Sequence, residues 1–155
     1  MDHIKGTASK KGKVVAISIS RKKGIPKTNV SSTQLITNSG LEGDAHAGNW
    51  HRQVSLLAIE SIDKMRQKGL PTLRPGAFAE NITTEFIDLT EIKIGTRLFI
   101  GKEAELEITQ IGKQCHSKCA IFDTVGDCVM PREGIFARVI RGGEIFVSDE
   151  IIVCS

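Results

Sequence analysis

Tyrosine is absent from this 155-residue chain, tryptophan occurs once and phenylalanine six times. So few aromatic rings leave little on which successive bases could stack. Positive charge is also modest: 21 Lys and Arg face 18 Asp and Glu, for a net charge of +3. That balance is too small to make nucleic acid the main partner, although a small anionic ligand remains open. No apolar run approaches the length that crosses a bilayer. Lys5, Lys10, Lys11 and Lys13 near the N-terminus are not followed by an apolar stretch with a small-residue cleavage site, so a cytoplasmic protein with no membrane or nucleic-acid partner is expected. With four cysteines, no export signal and an adequate core, thiols are expected rather than a disulfide framework. Cys128, beside Val129 and Met130, and the penultimate Cys154 fit ordinary packing roles. There is no internal repeat, no low-complexity segment and no flavin or nicotinamide motif.

What is present suits one domain over residues 1–155, with residues 1–12 as a loosely held basic arm. Residues 14–20 are β-branched and partly alternating, and Lys22, Lys23, Gly24 and Pro26 end that first strand. A short strand is expected near residues 34–37. Residues 52–57 read as another strand running straight into the best helical pattern, residues 58–68. There Ile59, Ile62 and Met65 share a face, Glu60 and Lys64 stand four apart, and Gly69 and Pro71 stop the helix. Short strands punctuated by glycine follow at residues 92–94, 97–100, 105–111, 134–140, 144–147 and 151–153. Gly142-Gly143 between two of them signals a hairpin. Many short strands around one clear helix predict a mainly β fold, a barrel with a few short helices.

Three stretches carry chemistry. Residues 110–122 follow a strand and set Cys115 and Cys119 among Lys113, His116 and Lys118. Nearby positive charge raises the thiolate fraction, and a thiolate is both nucleophile and soft-metal ligand. Residues 40–48 pack three glycines with Glu42, Asp44 and His46 into a shaped loop. Asp44, His46 and His51 are types that ligate metals, and the same residues equally suit hydrogen bonds to turn backbone. Residues 74–84 deliver Glu80 and Asn81 behind a Pro-Gly turn, either to a polar ligand or to the turn itself. A zinc clip from Cys115, His116, Cys119 and Cys128 ranks last. Its Cys-x3-Cys spacing is not that of common zinc knuckles.

With these stretches in view the sequence resembles the MOSC family, named for the C-terminal domain of molybdenum cofactor sulfurases. The resemblance rests on Gly-Leu-Glu-Gly-Asp-Ala-His-Ala-Gly at 40–48, His-Arg-Gln-Val-Ser-Leu-Leu at 51–57, Gly-Ala-Phe-Ala-Glu-Asn-Ile-Thr at 76–83, Cys115, and Gly-Ile-Phe-Ala-Arg-Val at 134–139. It covers nearly the whole chain, and the motifs are specific together rather than singly.

The resemblance implies a MOSC-type β-barrel that binds the molybdenum cofactor, a pterin dithiolene bearing a phosphate (molybdopterin). Lys113-Gln114-Cys115 stands where small bacterial members carry Lys-Pro-Cys, so Cys115 is the implied molybdenum ligand and catalytic thiol. Cys119, aligned with the metal-bound cysteine of the amidoxime-reducing branch, is the alternative. His46, Arg52, Glu80, Asn81, Lys113 and Arg138 are the cofactor-binding candidates, with Arg132 a further cation for the phosphate. Ala79 replaces a family glycine, adding a methyl where backbone can approach a ligand. The implied activity is reduction of N-hydroxylated compounds with electrons from an external reductase. The competing reading is a non-redox carrier of persulfide sulfur or of the cofactor, supplied by a partner sulfurase. No pyridoxal phosphate site is expected, because the desulfurase domain of full sulfurases is absent from this sequence.

Overall fold

The computed structural model describes residues 10–25, 27–112 and 130–154. Seven strands close into a barrel. In chain order these are β1 (Lys10–Ile19), β5 (Val54–Ala58), β6 (Ile82–Glu85), β7 (Arg97–Ile100), β8 (Ala104–Ile111), β9 (Ile135–Arg141) and β11 (Glu150–Cys154). Around the wall they run β11-β7-β8-β9-β5-β6-β1, and β1 pairs back onto β11. Closure depends on the length of β1. Its start, Lys10 to Lys13, pairs with β11, whereas Lys13 to Ile17 pair with β6 across an irregularity between Val14 and Ala16. Such a bulge bends one strand enough to serve two neighbours. Residues 10–12, expected in the basic arm, thus belong to the barrel.

All barrel pairings are antiparallel except β5 with β6. Parallel neighbours need a crossover, and α1 (Ile59–Gln67) supplies it. Every residue of β5 is buried, because both faces are covered. Val54, Leu56 and Ala58 join the barrel core, while Leu57 packs outside the wall with Ile62, Met65, Phe78, Met130 and Phe136. Met130 opens a short helix, α2 (Met130–Glu133). The two charged residues of α1 expected to face each other reach other elements. Glu60 accepts the Phe86 N–H at 2.9 Å, and Lys64 binds Glu133 at 2.9 Å.

The strand expected at residues 105–111 is realised as β8, with Ala104, Leu106 and Ile108 inside and Glu105 and Glu107 turned outward. Two expectations fail. Residues 92–94 form no strand; the chain there leaves a single 3-10 turn, Leu89–Glu91, in which the Thr90 N–H is capped by the Asp88 carboxylate at 3.0 Å. Gly142-Gly143 makes no hairpin either. β10 (Gly143–Phe146) pairs with β3 (Ser32–Ile36), which pairs with β4 (Gly40–Leu41) in a separate three-stranded sheet. Gly142 is required there by contact, since a Cβ would lie 2.4 Å from the Leu35 carbonyl oxygen. The remaining strand, β2 (Thr28–Val30), extends the barrel sheet beside β1. Among the described residues no helix is long and apolar enough to cross a membrane.

Candidate functional site

The loop from β4 to β5 is anchored from below by a buried ion pair. Lys27 Nζ stands 2.7 Å from Asp44 Oδ1, and both side chains are 0% exposed. Asp44 also accepts the Ser20 N–H at 3.0 Å and, through Oδ2, the His46 N–H at 3.1 Å. Burial pushes the Asp44 carboxyl up, but hydrogen bonds at His46, Lys27 and the Ser20 N–H outweigh it and hold the group well below the usual carboxylate range. Above this pair the imidazole of His46 is one-third exposed. Its Nδ1 lies 3.1 Å from Lys27 Nζ, and its carbonyl accepts the indole N–H of Trp50 at 2.8 Å.

His46 and Trp50 form one side of a cleft of about 270 Å³, with Lys23, Arg52, Ser55, Ala79, Met130 and Phe136 as its other walls. The Arg52 guanidinium stacks over Trp50, 4.7 Å from the ring centroid, and lies 5.5 Å from that of Phe136. Lys23 Nζ approaches Trp50 at 5.8 Å. Arg52 Nε is buried with no hydrogen-bond partner among the described residues. An arginine nitrogen can only donate, and leaving such a donor buried and unmatched costs about 1–3 kcal/mol. Among the described residues no carboxylate lines the cleft, so its described walls offer cations, N–H and hydroxyl groups. Chemically it suits an oxygen-rich anion.

The sequence candidates are divided by the fold. His46 and Arg52 meet in the cleft. Glu80 and Asn81 do not enter it and instead hold the turn. Glu80 is 0% exposed, accepting the N–H groups of Gly76 (2.7 Å) and Phe78 (3.1 Å) and the Thr83 hydroxyl (3.1 Å). Burial pushes its carboxyl upward, and these neutral donors offset that only in part. Gly76 is needed at this turn: it adopts φ +95°, and a Cβ would meet Ser18 Oγ at 2.9 Å. Asn81 clamps β5 to β1 by accepting the Ser55 N–H at 3.0 Å and donating to the Ser18 carbonyl at 3.2 Å. Between these two, Ala79 reaches the cleft at φ 65°, the left-handed region its glycine counterpart would adopt freely.

Arg138 is exposed on β9, 4.0 Å from Glu107, away from the cleft, and Arg132 is exposed on α2. His51 turns to Gln110, with Nε2 2.8 Å from Oε1, so Asp44, His46 and His51 do not converge as metal ligands. Among the described residues no cluster of three or more His, Cys, Asp or Glu does. Lys113, Cys115, His116, Lys118, Cys119 and Cys128 lie outside the described residues. Sequence reasoning missed Lys23, Lys27, Trp50, Ser55, Met130 and Phe136. The single Trp beside His51-Arg52 was a usable signal, whereas Lys27 carried none.

The fold is thus a closed β-barrel with a cation-lined cleft beside its β4–β5 loop. Residues 43–152 match the MOSC domain model, and the chain belongs to the MOSC family. No curated protein matches the sequence. Among solved structures the chain is similar to the YuaD protein from Bacillus subtilis, at 21% identity and TM-score 0.81, over 95% of this chain and 97% of that one. It is also similar to YiiM from Geobacillus stearothermophilus, at 20% identity and TM-score 0.72, over 93% and 75% of the respective chains. YiiM from Escherichia coli aligns at 18% identity and TM-score 0.65, over 92% and 70%. At these identities the likeness concerns the fold.

Proposed function

We propose that this protein binds the molybdenum cofactor in the Arg52 cleft and reduces N-hydroxylated compounds with electrons from an external donor. The observation that carries the reading is the buried, unpartnered Arg52 Nε in a cleft whose described walls hold cations and no carboxylate. That donor set fits the phosphate end of molybdopterin, because charge-assisted hydrogen bonds to phosphate oxygens are among the strongest a side chain makes. Arg52 is held by Trp50 and Phe136, so its donor is oriented before a ligand arrives. Lys23 adds charge at the rim, and His46 and Ser55 supply further polar contacts. Cys115 is the proposed thiolate ligand, with Cys119 as the alternative.

When bound, the cofactor supplies the two-electron chemistry that cleaves the N–O bond. The chain's own part is to bind and orient the anion. The test is molybdenum and pterin analysis of protein purified anaerobically from molybdate-supplied cells. Stoichiometric molybdenum and pterin are expected, with molybdenum lost in Cys115→Ser and pterin retention lowered about tenfold or more in Arg52→Ala, since a charged hydrogen bond contributes about 1.5–3 kcal/mol. Molybdenum lost instead in Cys119→Ser reassigns the ligand. Protein free of both, carrying a labile extra sulfur on Cys115, overturns the reductase reading in favour of a sulfur carrier.

A further inference from the structure

The ammonium of Lys27 has three acceptors around it, all within the protein: Asp44 Oδ1 at 2.7 Å, His46 Nδ1 at 3.1 Å and Ser20 Oγ at 3.4 Å. An ammonium donates and never accepts. His46 Nδ1 lies 3.1 Å from this donor and 3.7 Å from Asp44 Oδ2, the latter beyond hydrogen-bond reach, so the shorter contact assigns Nδ1 as the acceptor. The ring proton then resides on Nε2. The imidazole cannot turn away easily, because the backbone on either side is tied down. The His46 N–H is bound by Asp44 Oδ2 at 3.1 Å and its carbonyl by Trp50 Nε1 at 2.8 Å. His51, in contrast, meets a neutral amide oxygen, with Nε2 2.8 Å from Gln110 Oε1.

We propose that Lys27 is a positioning residue for the cleft: acting through Nδ1, it fixes His46 as the Nε2–H tautomer and so presents a hydrogen-bond donor to an anionic oxygen. The proposal deepens the cofactor-binding reading and rests on it only for the identity of the anion. Asp44 completes the device by pairing with the buried lysine at 2.7 Å. The arrangement follows the pattern in which the partner of one ring nitrogen decides what the other can do. Here the partner is a cation, which selects the acceptor state of Nδ1, opposite to the more familiar carboxylate partner.

Long-range proton–nitrogen correlation spectroscopy of the isotope-labelled full chain reads this directly. One histidine, identified by its loss in His46→Gln, should carry its proton on Nε2 and show a coupling across the hydrogen bond to Lys27 Nζ. Inorganic phosphate should shift that Nε2–H resonance. In Lys27→Met the tautomers should mix and phosphate affinity should fall about tenfold, equivalent to ~1.4 kcal/mol. A proton on Nδ1, no coupling to Lys27, or a tautomer unchanged in Lys27→Met would overturn the proposal. Should Lys27→Met fail to fold, the wild-type coupling alone decides. A protein with the coupling but without molybdenum or pterin after purification keeps this proposal and refutes the cofactor reading.

Discussion

Two carboxylates lie buried on opposite loops of the same cleft, and their surroundings drive them in opposite directions. Asp44 sits against a lysine ammonium and is held below its ordinary value of 3.8. Glu80 is surrounded by two backbone N–H groups and a threonine hydroxyl, and burial raises it above its ordinary 4.5. Both have their oxygens hydrogen-bonded, but Glu80 is the more deeply buried and only Asp44 has a cation among its partners. Deeper burial raises a carboxyl, and charge-assisted hydrogen bonds lower it. The Asp44 loop therefore reaches the cleft through His46 and Trp50, over a fixed, buried ion pair. The Glu80 loop carries a stapled turn that touches the cleft through Ala79.

The sharpest way to break this contrast is Lys27→Met, which leaves the Asp44 charge buried without its cation. A loss of about 3–5 kcal/mol in urea unfolding is expected, with much of it recovered in the double variant Lys27→Met/Asp44→Leu. In wild type the Asp44 contribution is present above pH 3.8 and is lost as pH falls below that value, because the unfolded chain takes up the proton first. Glu80→Gln is expected to cost less, about 1–3 kcal/mol at neutral pH, since the amide turns a donor toward a backbone N–H. Its pH signature has the opposite sign. The stability difference between wild type and Glu80→Gln should be largest below pH 4.5 and shrink as pH rises through the folded value, because the folded state there holds the proton that the unfolded chain releases. The smallest effect belongs to an exposed pair. Lys64, 59% exposed against Glu133, should change stability by about 1 kcal/mol or less when replaced by Met. A Lys64→Met loss equal to that of Lys27→Met would erase the distinction between buried and solvated pairs.

Local patterning made much of the barrel legible. Residues 105–111 alternate and became the alternating β8, and the Ile62 and Met65 face of α1 became the face it buries. Gly142-Gly143 misled because a pair of glycines serves equally for a hairpin and for close passage of one sheet against another. Leu35, more than a hundred residues earlier, decided between them. The site was legible where its residues cluster in sequence, as with His46 and Arg52. It was not legible at Lys27, which looks like any other lysine of a basic loop until β2 brings it beneath Asp44. Glu80 and Asn81 had motif support but no sequence feature that told turn from ligand; their hydrogen bonds to Gly76, Phe78 and Ser55 made that choice.

Taken alone, then, the sequence determined a mainly β chain with one amphipathic helix, because side-chain period and backbone breakers act within a few residues. Its motifs determined the MOSC family. Tertiary structure decided the rest: which strands close the barrel, which cation neutralises Asp44, and which face of each polar loop meets the cleft. Those outcomes depend on desolvation and on partners far apart in the chain, and neither exists until the barrel has closed.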